Sequence, residues 1–223
     1  TRLAGKLRKI AVTGFSSFFI DVAMGILTVL FNRQIMRYAG TDALAVYGVI
    51  VNISTFVQCC AYSTGQAAQP ILSMNYGAGL GGRIRGVLRC ALAAVAFFSL
   101  VWTVLTLAVP EGFIRVFMAP TAAVLAIAPA IFQRYCLSFL LLPLNIFSTY
   151  YFQALMKPGA AFFVSVSRGL VISGILIHLL PAAFGPDALW LAMPITELLV
   201  AVPLVLLMRR TDRSLPEAGA AAE

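Results

Sequence analysis

From Leu44 to Ser73 the chain carries no formally charged side chain, and this is one of several such runs. A run of that length exceeds the roughly 20 residues that carry an α-helix across a bilayer. Apolar stretches with one or two charged side chains each cover about 11–31, 85–109, 121–156, 161–180 and 188–208. Between them lie short segments rich in Arg, Lys, Gly and Pro. The composition agrees: 61% hydrophobic, 11% charged, mean hydropathy +0.95. About half apolar suffices for a water-soluble domain. The expected fold class is therefore an all-α integral membrane protein with six transmembrane helices.

The net charge of +8 invites a nucleic-acid reading, but the bases do not form a tail or a single face. They cluster between the apolar runs, as expected for a chain oriented by the positive-inside rule. With the N-terminus placed inside, the inner segments hold eleven bases: Arg2, Lys6, Arg8, Lys9, Arg83, Arg85, Arg89, Lys157, Arg209, Arg210 and Arg213. The outer segments hold three, Arg33, Arg37 and Arg115, while Arg134 and Arg168 fall within spans. Both ends are thus expected to be cytoplasmic. Residues 1–10 read as a basic lead-in, 11–209 as the membrane lobe and 210–223 as a small, polar, disordered tail. No signal-peptide pattern opens the chain, and a piece of a longer protein is expected. Trp190, at the outer start of the last span, reads as an interfacial anchor.

Four cysteines lie in apolar runs without metal-ligand spacing, and there is one histidine. Metal-dependent hydrolysis has no support, and small buried hydrophobes explain the cysteines. No nucleophile–base pair, phosphate-binding glycine loop or nucleotide motif is found. The chain is not read as an enzyme, and no cofactor is expected.

Polar residues inside the runs carry the functional signal. At 100° per residue, Gly14, Ser17, Asp21, Gly25, Thr28 and Asn32 share one face of the first span. Such a stripe is either a helix–helix contact or a water-accessible titratable site. A mid-membrane carboxylate favours the second, because it needs protein, water, a cation or a proton to be tolerated. In the second span Thr55, Gln58, Tyr62, Gln66, Gln69 and Ser73 form a similar stripe, with Asn52 at its edge. Amides there suit a wet cavity wall or inter-helix hydrogen bonds. In the fourth span Arg134, Ser138, Asn145 and Ser148 align. Pro143 interrupts that helix and forms either a hinge or a packing kink. The segment is too long for one upright crossing. It is read as one long kinked helix or as a short amphipathic piece followed by a span. Gln153 lies near its inner end. Glu197 is the second mid-depth acid, between Pro194 and Pro203. It reads as a second coupling group, or as the partner of a span base such as Arg168. Gln66–Gly79, QAAQPILSMNYGAG, reads as the end of one span and the turn to the next. Pro70 removes a donor there, and Asn75, Gly77 and Gly79 supply permissive backbone.

That segment, followed by the basic Gly81–Arg85 patch, resembles the multidrug and toxic compound extrusion (MATE) transporters. So do GFSSFFIDVAMGILTVLFNRQI with GTDALAVYGVIVNI, the YYFQALMKPG turn, and FGPDALWLAMPITELL with its acid at Glu197. Their order resembles the family's C-terminal six-helix lobe and covers nearly the whole chain. The resemblance implies one lobe of a two-lobe, twelve-helix transporter in a bacterial cytoplasmic membrane. Its partners would be the lipid bilayer, an N-terminal lobe and small organic cations, with no nucleic acid. The implied activity is export of organic cations in exchange for H⁺ or Na⁺ by alternating access. The alternative is a lipid-linked oligosaccharide flippase of the same superfamily. Within that frame Asp21 and Glu197 are the expected coupling residues. Asn32, Asn52, Gln58, Tyr62, Gln66, Asn145 and Gln153 are the expected cavity wall. Pro70, Asn75, Gly77 and Pro143 are the expected hinges.

Overall fold

A computed structural model describes residue 22 and residues 25–215, and among these every regular element is helical. Helix α1 covers 25–38. It is followed by α2 (Gly40–Gly77), α3 (Gly81–Ala108), α4 (Pro110–Phe117), α5 (Ala122–Tyr135) and α6 (Leu142–Ala154). Then come α7 (Pro158–Val166), α8 (Ile172–Phe184) and α9 (Ala192–Arg213). A 3₁₀ turn, Cys136–Leu140, joins α5 to α6. A π turn, Ser167–Val171, joins α7 to α8. A second 3₁₀ turn, Pro186–Leu191, precedes α9. Five helical stretches are long and apolar enough to cross a membrane: Gly40–Gly77, Gly81–Ala108, Ala122–Ala154, Gly159–Phe184 and Pro186–Arg213. Most of the first expected span, including Asp21, lies outside the described residues.

Helix α2 organises the bundle, packing along α6 and α3 and touching α5 and α4. Its 38 residues make a rod of about 57 Å, well beyond a hydrocarbon core of about 30 Å. Pro70 does not stop it, and the helix continues to Gly77. The missing proline N–H frees the carbonyl of Gln66, an exposed position of the helix. Asn75 and Gly77 are also helical. Asn75 Nδ2 donates to the Ile71 carbonyl at 2.8 Å. The reversal falls at Gly79, whose φ is 68°, and Leu80 N donates back to the Asn75 carbonyl at 2.9 Å. A Cβ in that left-handed conformation costs about 1 kcal/mol. Gly79→Ala is accordingly expected to lower stability by about 1 kcal/mol, read as a shift of the thermal unfolding transition in detergent. An unshifted transition would mean that the turn relaxes.

The span across 122–154 is a broken helix rather than a smoothly kinked one. Thr121 caps its start, its Oγ1 accepting from Val124 N at 3.2 Å. Pro143 sits in the first turn of α6, where its absent N–H needs no partner. The chain tightens into the 3₁₀ turn just before it. The segment between the spans expected over 85–109 and 121–156 contains the short helix α4, supported by Pro110 at its start and a Glu111–Arg115 pair at 3.6 Å.

Two apolar cores result. At one end Phe31, Tyr47, Tyr135 and Trp190 form an aromatic cluster, with ring centroids 4.8 to 6.4 Å apart. Trp190 is 3% exposed, so it is a core residue rather than an interfacial anchor. Its indole fills the space left where α1, α2 and α5 converge. At the other end Leu72, Ile84, Phe147, Tyr151, Phe152 and Leu204 pack together. Between the cores lies a belt of buried polar residues: Ser54, Ser138, Asn145, Ser148, Thr196 and Glu197.

Candidate functional site

The polar belt is centred on Glu197, which is fully buried. Helix α9 carries it to mid-depth, and two neighbours meet it there. Arg168 Nη1 approaches Glu197 Oε1 at 3.4 Å. Asn145 Nδ2 donates to Glu197 Oε2 at 2.6 Å and to the Glu197 carbonyl at 2.9 Å. Local backbone irregularity makes this meeting possible. The π turn adds a residue to one helical turn and re-aims Arg168 inward. Ser173 Oγ donates to the Arg168 carbonyl at 2.7 Å, which helps hold the irregular turn. The 3₁₀ turn before Pro143 likewise sets the rotation of α6 and hence the direction of Asn145. Asn145 Oδ1 has no hydrogen-bond partner among the described residues.

A cavity of about 150 Å³ opens beside this cluster. Glu197, Arg168, Thr28, Ser138, Ser54 and Gln58 contribute polar wall, while Tyr47, Tyr135 and Phe139 contribute aromatic wall. A drug-sized site usually measures about 300–1,000 Å³. This cavity is a side chamber, large enough for water and ions.

From it the polar stripe of α2 continues along an open face. Gln58 accepts from Tyr62 Oη at 3.3 Å. Gln69 Nε2 reaches Gln153 Oε1 at 3.4 Å, joining α2 to the end of α6. Thr55, Tyr62, Gln66 and Gln153 are exposed. Asn52 is exposed and bonds its own helix, donating to the Gly48 carbonyl at 2.9 Å. Asn32 is half-buried on α1. Of the residues expected from sequence, the structure thus gathers Asn145 with Glu197, and Gln58 with Tyr62. It places Gln66, Gln69 and Gln153 further along the same groove-like face. Of the expected wall residues Gln58 lines the 150 Å³ cavity, while Asn32, Asn52, Tyr62, Gln66, Asn145 and Gln153 lie outside its lining, and Asp21 is not described. Arg134 lies at the opposite end from the basic loops, paired with Asp187 at 3.0 Å. Sequence reasoning missed Ser54, Tyr47 and Tyr135 as cavity wall. The one available signal was position: Tyr47 and Ser54 lie on the α2 face that bears Gln58, and Tyr135 lies three residues before Ser138 of the adjoining 3₁₀ turn.

A bundle of membrane-length helices with a buried acid and amide beside a half-buried base defines a polytopic membrane protein with a polar interior. Such groups are expensive in hydrocarbon and mark substrate or ion routes. The MatE family profile matches residues 15–179. The chain belongs to the MatE family. Among solved structures, an outward-facing multidrug resistance MATE family transporter of the MOP superfamily is 15% identical with a TM-score of 0.82, covering 94% of this chain and 47% of that one. An inward-facing conformation of a transporter so described gives 15% and 0.80, with 94% and 48% covered. A MOP superfamily transporter from Pyrococcus furiosus, described as having a binding pocket of reversed polarity, gives 14% and 0.82, with 94% and 47% covered. The chain spans about half the length of these structures, so its fold is that of one lobe. A comparison with curated proteins finds no match.

Proposed function

We propose that this chain is the C-terminal half of a secondary-active transporter that exports organic cations in exchange for H⁺ or Na⁺ by alternating access. The observation that carries the reading is the open polar face of α2, formed by Thr55, Tyr62 and Gln66 and leading to the buried Arg168–Glu197–Asn145 cluster. Exposed amides are unfavourable against lipid, so this face must meet water or another protein surface. A second six-helix lobe facing it would close a cleft of drug size, which the 150 Å³ chamber alone is not. The likeness to both outward- and inward-facing relatives fits a lobe that moves as one body.

Coupling follows from charge. Asp21 is the first residue assigned to it and Glu197 the second. An ionised Glu197 is matched by Arg168 and the Asn145 amide N–H. A protonated Glu197 loses the charge attraction to Arg168 and gains a hydroxyl, for which Asn145 Oδ1 is an available acceptor. Proton or cation binding in this region therefore changes how strongly α6, the π turn before α8, and α9 hold together. A ligand shifts access only through such a difference between states.

The test uses the full-length transporter in proteoliposomes, with a pH or Na⁺ gradient and a fluorescent organic cation. Gradient-driven efflux is expected in the wild type and is expected to vanish in Asp21→Asn, with the variant still eluting as a folded protein. The effective gradient names the ion. Undiminished efflux in the variant would reject the Asp21 role. No efflux from the wild type with either gradient would overturn organic-cation export and favour the flippase of lipid-linked oligosaccharides.

A further inference from the structure

A second opening lies away from the Glu197 cavity and shares no lining residue with it. Helices α3 and α9 both pack on α6 but scarcely touch each other. They are joined at one end, where Arg85 Nε meets Asp212 Oδ1 at 3.5 Å and Arg85 Nη2 donates to the Asp212 and Leu215 carbonyls. Below this clasp a groove of about 310 Å³ remains, floored by α6.

The groove is amphipathic along its length. Arg85, Arg89, Arg209 and Asp212 line its mouth, while Leu92 and Leu144 line its depth. The lining runs from Arg85 to Leu92 on α3 and from Asp212 back to Val205 on α9, about 10 Å along each helix. The two flanks are apolar and exposed: Phe97 and Leu100 of α3 are 61% and 55% exposed, and Val202 and Leu206 of α9 are 57% and 54% exposed. The mouth lies at the basic end of the lobe, where Lys157 also reaches Thr211 at 3.0 Å. Arg85 is held by Asp212. Arg89 and Arg209 are exposed and have no carboxylate partner among the described residues.

We infer that this groove binds one anionic diacyl phospholipid. Its phosphate meets Arg89 and Arg209 at the mouth, and one acyl chain lies over Leu92 and Leu144. Three arginines against one aspartate make the mouth positive, and an anionic headgroup supplies the complementary charge. The leaflet on the basic side of a membrane protein is the one rich in such lipids. Long arginine side chains can lie along the groove wall and raise their guanidinium groups to headgroup level. The bound lipid then ties α3 to α9 across the gap that their own side chains leave open.

Native mass spectrometry of the full-length protein in detergent tests this with palmitoyl-oleoyl phosphatidylglycerol, phosphatidylcholine of the same chains, and inorganic phosphate. The wild type is expected to hold one phosphatidylglycerol at least tenfold more tightly than phosphatidylcholine. Arg89→Gln/Arg209→Gln is expected to lower that affinity at least tenfold and leave phosphatidylcholine binding unchanged. Leu144→Trp fills the depth of the groove without changing charge, and a comparable loss is expected. Equal binding of the two lipids, or unchanged binding in both variants, would overturn the inference. So would displacement of the lipid by millimolar phosphate, which would define a free-anion site. Phosphatidylglycerol that binds only after deletion of residues 216–223 would assign the groove to the chain's own acidic end. If the double variant fails to elute as a folded protein, Leu144→Trp and the phosphate competition decide the matter.

Discussion

Arg168→Leu is expected to destabilise the full-length protein by about 3 kcal/mol and to abolish transport. The reasoning starts from burial. The Glu197 side chain is 1% exposed and that of Arg168 15%, so neither charge is screened well by water. Removing the base leaves a carboxylate in the polar belt with only the Asn145 amide for compensation. Breaking a buried pair from one side typically costs about 3–5 kcal/mol. The lower end applies here because Asn145 already donates at 2.6 Å, and because the carboxylate can escape part of the penalty by taking up a proton. Glu197→Leu leaves Arg168 unpaired, but a long side chain can move its charge toward water, so a loss of about 2 kcal/mol is expected. The double variant Arg168→Leu/Glu197→Leu is expected to return to within about 1 kcal/mol of the wild type, since a well-packed apolar pair often replaces a buried ion pair without loss. Thermal unfolding of the four proteins in detergent gives the cycle. Strictly additive losses would show that the two groups do not interact. The same four proteins separate structure from function. If stability returns in the double variant while gradient-driven efflux does not, the charges serve transport. If both return, the pair is only structural.

Gly65→Leu is expected to cost about 3 kcal/mol for a purely steric reason. Gly65 is a buried position of α2 facing α6. A Cβ built there would lie 2.5 Å from Tyr150 Cδ2 and 2.7 Å from Tyr150 Cγ. The encounter is with the root of the ring, so the side chain cannot simply swing its tip away. Tyr150 is also held edge-on to Tyr62, with ring centroids 6.3 Å apart. Small residues at membrane helix crossings permit this closeness. Gly65→Ala is expected to lose less, because a clash of about 2 kcal/mol is partly offset by the better helix propensity of alanine, about 1 kcal/mol. Gly48→Ala on the same helix is the control: its Cβ would meet nothing within 4 Å, so no loss is expected. Tyr150→Ala in the Gly65→Leu background should recover most of the stability. Equal melting behaviour of Gly65→Leu and wild type would show that α2 and α6 separate freely. The altered crossing would also shift Gln69 relative to Gln153, so weaker transport is expected even in the alanine variant.

Much of this was legible in the residues themselves. Charge-free runs such as Leu44–Ser73 leave a helix in a bilayer as the only way to satisfy the backbone. Glu197 stood out because a carboxylate at mid-depth needs a partner, and Arg168 was one of the bases available to it. The polar residues Gln58, Tyr62, Gln66 and Gln69 were legible as a stripe because 100° per residue places them on one face. Other features were not legible. The π turn that aims Arg168 has no sequence signature distinct from an ordinary turn. Trp190 looked interfacial because its chain position is at a span end. Only the convergence of Phe31, Tyr47 and Tyr135 reveals the pocket that buries it. Gly77 and Gly79 were equally suited to the reversal, and the chain uses Gly79.

The sequence by itself determined the solvent, the helices and which face of each helix is polar. Those follow from local hydrophobicity and the period of the backbone, which each segment carries alone. The tertiary structure decided which polar faces meet: Asn145 and Arg168 at Glu197, Gln69 at Gln153, and Arg85 at Asp212. Those choices depend on the rotation and separation of helices far apart in the chain. A small change in either, at Gly65 or at the turn before Pro143, redirects side chains that no local pattern can place.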